Sequence, residues 1–372
     1  MRVALVHDYL NQMGGAEKTL LALAHIFPGA PIYTSIYEPS RVDMAFRALD
    51  IRTSFMQGLP FVKRHHQPFL PLYPFAMESF DLRGYDLVIS DSSAFAKGIV
   101  TRPETLHICY CHTPMRWAWN FEDYIEREHV GGLTRMALAP FITWLRLWDY
   151  TSAARVDAYI ANSPVVAARI AKYYRRESVI IPPPVDVASF AVSMRRDDYF
   201  LITSRLVPYK RIDLAVRAFT KLGLPLRVVG SGRDAQSLRK LAGPTVRFLG
   251  RLSDEQVREQ MAGCRAFIFP GEEDFGMTPV EAQACGKPVI AYGAGGALSS
   301  VLEGVTGLFF REQTPDALAS VVADFHDEQF DPLVIRRHAE QFDTTRFAER
   351  LTRFIAARAS APPAQSVVGS QR

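Results

Sequence analysis

The chain has 372 residues, 48% of them hydrophobic and 22% charged, which is the balance of a globular protein and not of a disordered one. That length exceeds one ordinary core and calls for two domains of roughly 150–200 residues. With 43 basic residues against 39 acidic ones, the net charge of +4 is too mild to argue for nucleic acid, and no basic cluster with interleaved aromatics supplies a nucleic-acid module.

In chain order, the opening MRVALVHDYL carries a short apolar run that stops at His7 and Asp8, too short and too polar for a secretory signal. It reads as a strand at 3–7, followed by Gly14–Gly15 and a helical pattern rich in Leu20, Leu21 and Leu23. Similar apolar or β-branched runs fall at 32–35, 87–90, 106–110 and 158–161, and again at 200–203, 226–229, 247–249, 266–269 and 289–291. Near-continuous apolar strands that alternate with helical stretches specify parallel sheets covered on both faces. Two such series predict an α/β protein of two Rossmann-like domains. The run IIPPPVD, within 179–186, stops any helix and makes a stiff extended connector, which sets the domains at 1–183 and 184–343. An amphipathic helix is expected at 344–359, and 360–372 (SAPPAQSVVGSQR) reads as a disordered tail.

Within the first domain, 61–75 (FVKRHHQPFLPLYPF) is too rich in proline for a regular helix. This aromatic, basic stretch suits contact with a lipid surface or a lipid-borne acceptor, and it suits equally well packing beneath the domain. The longest apolar stretch, 136–148, contains Pro140 and Arg146 and falls short of the roughly 20 residues of a membrane span. It reads as a core helix, with interface contact as the second account. The four cysteines are scattered, and Cys109 and Cys111 are too close for an ordinary disulfide, so reduced thiols in a cytoplasmic protein are expected. Cys109, Cys111 and His112 lack the second ligand pair that zinc wants, and no metal site is expected.

Residues 266–291 (AFIFPGEEDFGMTPVEAQACGKPVIA) concentrate the chemistry. A strand ends at Pro270–Gly271, three acids follow (Glu272, Glu273, Asp274), and Gly276 opens a helix that carries Glu281. A helix mouth with free N–H groups and the positive end of the macrodipole behind them is a site for an anion such as a phosphate. Acids beside a phosphate would be repelled, so Glu273 and Glu281 suit hydroxyl-rich parts of a ligand, a sugar on one side of a diphosphate and a ribose on the other. Upstream, TSRLVPYKR places Arg205, a planar fork, five residues before Lys210, a point charge, so that both can converge on one anion. His112, at the end of a strand, can bind hydroxyls or exchange a proton. Neither Gly14–Gly15 nor Gly230-Ser231-Gly232 completes a Gly-x-Gly-x-x-Gly fingerprint, which counts against an NAD-dependent oxidoreductase.

The Glu-x7-Glu spacing with Phe275–Gly276 between, continued by Glu-Ala-x-Ala-x-Gly-x-Pro-Val-Ile, resembles the signature of glycosyltransferase family 4, retaining nucleotide-sugar-dependent enzymes of the GT-B fold. Arg205 and Lys210 match that family's Arg-x4-Lys element, and CHTPMRWAW around His112 resembles mannosyltransferases of the O-antigen and exopolysaccharide branch. The likeness runs from VALVHDYL to VTGLFF at 305–310. It implies a catalytic set of His112, Glu273, Arg205 and Lys210, with Gly14, Gly15, Asp274, Phe275, Gly276, Met277, Thr278 and Glu281 as substrate-binding residues. It also implies a C-terminal helix that crosses back to the first domain, and transfer of a hexose, mannose from GDP-mannose, to a polyprenyl-diphosphate-linked glycan for a surface polysaccharide. No cofactor beyond the nucleotide-sugar donor is required, and peripheral contact with the inner face of the membrane is implied. One departure is Ser299–Ser300, where many relatives carry an acid, which leaves donor preference open. A non-catalytic nucleotide-sugar-binding scaffold is the alternative to an enzyme.

Overall fold

The computed structural model describes residues 1–121 and 132–360; the tail expected at 360–372 lies, but for Ser360, outside the described residues. Two wholly parallel sheets organise the chain. The first contains β1 (Val3–His7), β2 (Ile32–Thr34), β3 (Ile51–Thr53), β4 (Leu87–Ser92), β5 (Leu106–Cys111), β6 (Ala158–Ala161) and β7 (Ser178–Ile180), in the order β3-β2-β1-β4-β5-β6-β7. The second contains β8 (Phe200–Thr203), β9 (Leu226–Val229), β10 (Val246–Gly250), β11 (Phe267–Phe269), β12 (Val289–Tyr292) and β13 (Gly307–Phe310), in the order β10-β9-β8-β11-β12-β13. Each reproduces the doubly wound order of nucleotide-binding sheets.

Three strands escape the sequence reading, and all three are edges: β3, β7 and β13. An edge needs no two-sided apolar run. β7 leaves Val179 and Ile180 more than 40% exposed, and β13 opens on a glycine, a residue strands disfavour. Because β7 absorbs Val179 and Ile180, the extended connector starts only at Ile181.

The cores explain the remaining elements. In the first sheet, Leu5, Ile89, Ile108 and Ile160 pack against Leu20 and Leu23 of the Gly15–Ile26 helix and against Phe347, Leu351 and Ile355 of the Thr344–Ala359 helix. The last three recur every fourth residue, one stripe of a helix, and bring the C-terminal helix onto the first sheet. In the second sheet, Phe200, Ile202, Ile268 and Ile290 lie beneath Ala215, Val216 and Phe219 of the Ile212–Leu222 helix.

One expectation is refined and one needs correction. The stretch 61–75 is partly helical: a 3-10 segment, Gln67–Leu72, runs into the helix Tyr73–Glu78, with Pro68 and Pro74 in first turns where no N–H is required. Val62 and Tyr73 are buried while Phe61 and Phe75 are exposed, so the segment both packs and presents aromatics. The stretch 136–148 lies in the helix Gly132–Ala153 and is not a core helix. Ile142, Leu145 and Asp149 face inward, and Met136, Trp144, Leu147 and Tyr150 are exposed. Asp149 anchors it, accepting from buried Lys97 Nζ at 2.5 Å and from Trp119 Nε1 at 2.7 Å. No helix of the described residues is long and apolar enough to cross a membrane.

Candidate active site

The carboxyl ends of β1, β4, β5 and β6 face those of β8 and β11 across a cavity of about 460 Å³. In both sheets this is where the strand order reverses, the place at which open parallel sheets bind ligands. Of the residues singled out from sequence, Gly14, Gly15, His112, Arg205, Lys210, Glu273, Asp274, Phe275, Gly276, Met277 and Thr278 all line it. Glu281 does not. Its carboxylate is nearly buried and accepts from Lys18 Nζ at 2.6 Å, a residue the sequence reading missed.

The second-sheet wall is built by backbone turns. Gly276 has φ of +85° and opens the helix Met277–Ala284; a side chain there would be strained and would meet the Phe269 ring at 2.7 Å. Phe275 turns its ring into the core against Phe342, with centroids 5.4 Å apart, so its part in the cavity falls to its main chain. Arg205 is exposed and reaches Gln12 Oε1 at 3.3 Å and Tyr209 Oη at 3.0 Å. Lys210 pairs with Glu273. The turn that carries Arg205 packs on the β9 loop, where a Cβ on Gly230 would sit 1.9 Å from the Ser204 carbonyl oxygen. Gly230 therefore serves close approach of two backbones.

The first-sheet wall is richer in buried charge than the sequence suggested. His112 Nε2 lies 2.6 Å from Asp91 Oδ1, and His7 Nδ1 lies 2.8 Å from Asp91 Oδ2. Burial alone would lower both histidines, but the carboxylates outweigh it: His112 is raised, and His7, with Asp91 and Glu17 beside it, is pushed up to about 10. Burial would raise Asp91, yet the two histidines hold it below its ordinary value. Asp8 accepts from the amides of Ser93, Ala94, Phe95 and Ala96 at 2.6–3.0 Å and so fixes the loop after β4. Asn162 donates to the His112 carbonyl at 3.0 Å. Its own Oδ1, like Thr203 Oγ1 opposite, is buried at the cavity without a partner.

Charge also bridges the two halves. Asp274, from the second, is held by Arg116 and Arg169, both from the first, and Lys18–Glu281 is a second bridge. The predicted carboxylates Glu273, Asp274 and Glu281 thus each have a cationic partner here. Among the described residues no group of three or more His, Cys, Asp or Glu is arranged to hold a metal ion. Cys109 and Cys111 are free thiols buried in the core. Chemically, the cavity combines fixed cations for an anion, a helix mouth, carboxylates for hydroxyls and a histidine backed by a carboxylate.

Two doubly wound parallel sheets that share a cleft at their carboxyl ends define the GT-B architecture of glycosyltransferases. The crystal structure of Anabaena Alr3699/HepE in complex with UDP and glucose superposes with a TM-score of 0.72 over 96% of this chain and 100% of that one, at 19% identity. Sucrose-phosphate synthase from Thermosynechococcus elongatus gives 0.72 over 97% and 99%, at 17% identity. In sequence, residues 13–189 match the Glycosyltransferase Family 4 model and 190–342 match Glycosyl transferases group 1. The chain belongs to glycosyltransferase family 4, group 1. It is 28% identical to the human alpha-1,3/1,6-mannosyltransferase ALG2 across 95% of both chains. It is also 32% identical, over 41% of this chain and 45% of the other, to the GDP-mannose-dependent monoacylated alpha-(1-6)-phosphatidylinositol monomannoside mannosyltransferase of Corynebacterium glutamicum.

Proposed function

We propose that this glycosyltransferase moves mannose from GDP-mannose, with retention of configuration, onto a polyprenyl-diphosphate-linked glycan in the assembly of a surface polysaccharide. The observation that carries the reading is the convergence of Arg205, Lys210, Glu273 and the Gly276 helix mouth on one cavity. The mannosyltransferases among its relatives support the choice of sugar.

In this reading the acceptor hydroxyl oxygen bonds to the anomeric carbon as the bond from that carbon to the diphosphate oxygen breaks. The electron pair leaves with the diphosphate, and the hydroxyl proton passes to the same departing group on one face of the sugar. Charge builds on the leaving diphosphate, so Arg205, Lys210 and the N–H groups of Met277 and Thr278 act most strongly in the transition state. Glu273, tied to Lys210, holds the donor sugar, and Glu281, steadied by Lys18, meets the ribose. His112 lies on the acceptor side, and Gly14–Gly15 brings backbone close to both substrates. Retaining glycosidases flank their bond with two carboxylates; here the cations beside the leaving group take the larger part.

The exposed apolar stripe of Met136, Trp144, Leu147 and Tyr150, together with Phe61 and Phe75, supports peripheral contact with the membrane that carries such an acceptor. A panel of nucleotide sugars tests the donor. GDP-mannose should be turned over to GDP and, at a hundred times its Kd, stabilise the protein by about 2.7 kcal/mol. Turnover of a UDP-sugar alone would overturn the donor assignment, and cosedimentation with anionic vesicles checks the membrane contact.

A further inference from the structure

Behind His112 on the first-sheet wall lies a row of buried charged groups, His7, Asp91 and Glu17, to which the transfer chemistry gives no role. β1, β4 and β5 are neighbours, and the parallel register sets His7 directly beside Asp91. His112 follows the end of β5. Asp91 therefore touches a histidine with each oxygen, Oδ1 to His112 Nε2 at 2.6 Å and Oδ2 to His7 Nδ1 at 2.8 Å. His7 Nε2 is buried without a hydrogen bond, 3.8 Å from Glu17 Oε1. Asp91 is fully buried and His7 almost so. A central strand is a poor place for a carboxylate on stability grounds, because buried charge is costly and apolar residues of similar size often serve folding better. The row ends at the cleft: His112 and Glu17 line the cavity, and His112 Nδ1 has no partner among the described residues.

We propose that Asp91 is a positioning residue that accepts the Nε2–H of His112 and so presents Nδ1–H of the same ring to a substrate oxygen in the cleft, with His7 and Glu17 balancing its charge. With both ring nitrogens protonated, His112 meets the substrate as an imidazolium, a stronger donor than a neutral ring. The electrostatics agree: burial opposes charge on His112, Asp91 more than offsets it, and the cation on His7 pulls in the opposite direction. Glu17 acts with Asp91. Tyr110 lies edge-on to the ring at 5.2 Å, and Arg116, Arg205, Lys210, Glu273 and Asp274 are the other charged groups on the cavity wall. The proposal rests on the transfer reading only for the identity of the substrate oxygen.

The two neighbours bias His112 in opposite directions, and this makes the test sharp. An NMR titration of the His112 ring in the full chain, without substrate, should give a midpoint above the ordinary 6.5. Asp91→Asn should lower it by roughly one pH unit or more, and His7→Asn should raise it. The alkaline limb of kcat/KM against pH should move with it in each variant, and His112→Gln, a donor that does not titrate, should abolish that limb. Midpoints unmoved in both variants overturn the proposal, as does uniformly lower activity with an unmoved limb, the signature of a merely structural role. Should Asp91→Asn fail to fold, the upward shift in His7→Asn and the lost limb in His112→Gln decide the matter. If the midpoints move as expected while no nucleotide sugar is turned over, the transfer reading fails and the coupling stands.

Discussion

Replacing Asp274 by Asn should open the cleft. One carboxylate from the second half accepts from two guanidiniums of the first, Arg116 in the Arg116–Trp119 helix and Arg169 in the Pro164–Tyr174 helix. A hydrogen bond to a charged group contributes about 1.5–3 kcal/mol when well shielded. Arg116 is 40% exposed and Arg169 22%, so solvent screening brings each bridge down to about 1 kcal/mol. Together they favour the closed form by about 2 kcal/mol, or roughly 30-fold in the closed-to-open ratio. The substitution keeps the shape and removes the charge, leaving two like charges facing each other. The assays are small-angle scattering and energy transfer between dyes on the two halves, beside donor titration. The ligand-free variant should expand, and KM for the donor should rise by about tenfold or more while saturated kcat changes less. Arg116→Ala and Arg169→Ala should each show part of the effect and little more in the Asp274→Asn background, since the pairs share one partner. An Asp274→Asn protein with unchanged dimensions and unchanged KM would refute the view that these bridges hold the halves together.

Arg205→Ala and Lys210→Ala should each lower both kcat and kcat/KM by about 10²–10³-fold, and the double variant by much less than the product; near-normal turnover in a folded double variant would remove the site. Glu281→Ala should weaken nucleotide diphosphate binding by about tenfold in isothermal titration, in line with loss of a partly screened charged hydrogen bond, and Lys18→Met should reproduce part of the loss; unchanged affinity in Glu281→Ala sinks its assignment to the ribose. Turnover should survive excess EDTA, because Arg205 and Lys210 already supply the positive charge a metal would bring; full loss restored by Mg²⁺ would mean that the cations have another role. Stability should fall on both sides of neutrality. Burial holds His107 down at about 4, from 6.5 when unfolded, so as pH falls from 6.5 towards 4 the unfolded chain takes up the proton first and about 3 kcal/mol is lost. His7 is raised to about 10, and its contribution, complete below 6.5, is lost as pH rises through 10. Denaturation of wild type and His107→Gln at several pH values checks the acid limb, and equal slopes would contradict it.

The elements that position the site were readable from the chain because their causes are local. Buried parallel strands such as VALVH and FLIT need apolar side chains on both faces, and the turns after them need glycine or charged residues at fixed offsets, as in the Gly276 turn. These rules place Arg205, Lys210, Glu273 and His112 at strand ends, and strand ends of wound sheets converge. Edges such as Ile51–Thr53 and Ser178–Ile180 carry no such pattern and stayed hidden. What only the tertiary structure decided is which charges meet. Lys18 and Glu281 are 263 positions apart, and although the spacing around Glu281 marks it out, nothing near Lys18 distinguishes it from a solvated surface charge or names it as the partner of Glu281. Asp91 reads as the polar end of a strand until β1 and β5 set a histidine on each side of it. Likewise the 136–148 stretch has the composition of a core helix, but among its described residues the body it packs on buries Ile142 and Leu145 and leaves Met136, Trp144 and Leu147 exposed. A side chain's chemistry is written in the sequence. Its partner is set by packing, because charge pairs form between residues whose proximity is fixed by the sheets they stand on.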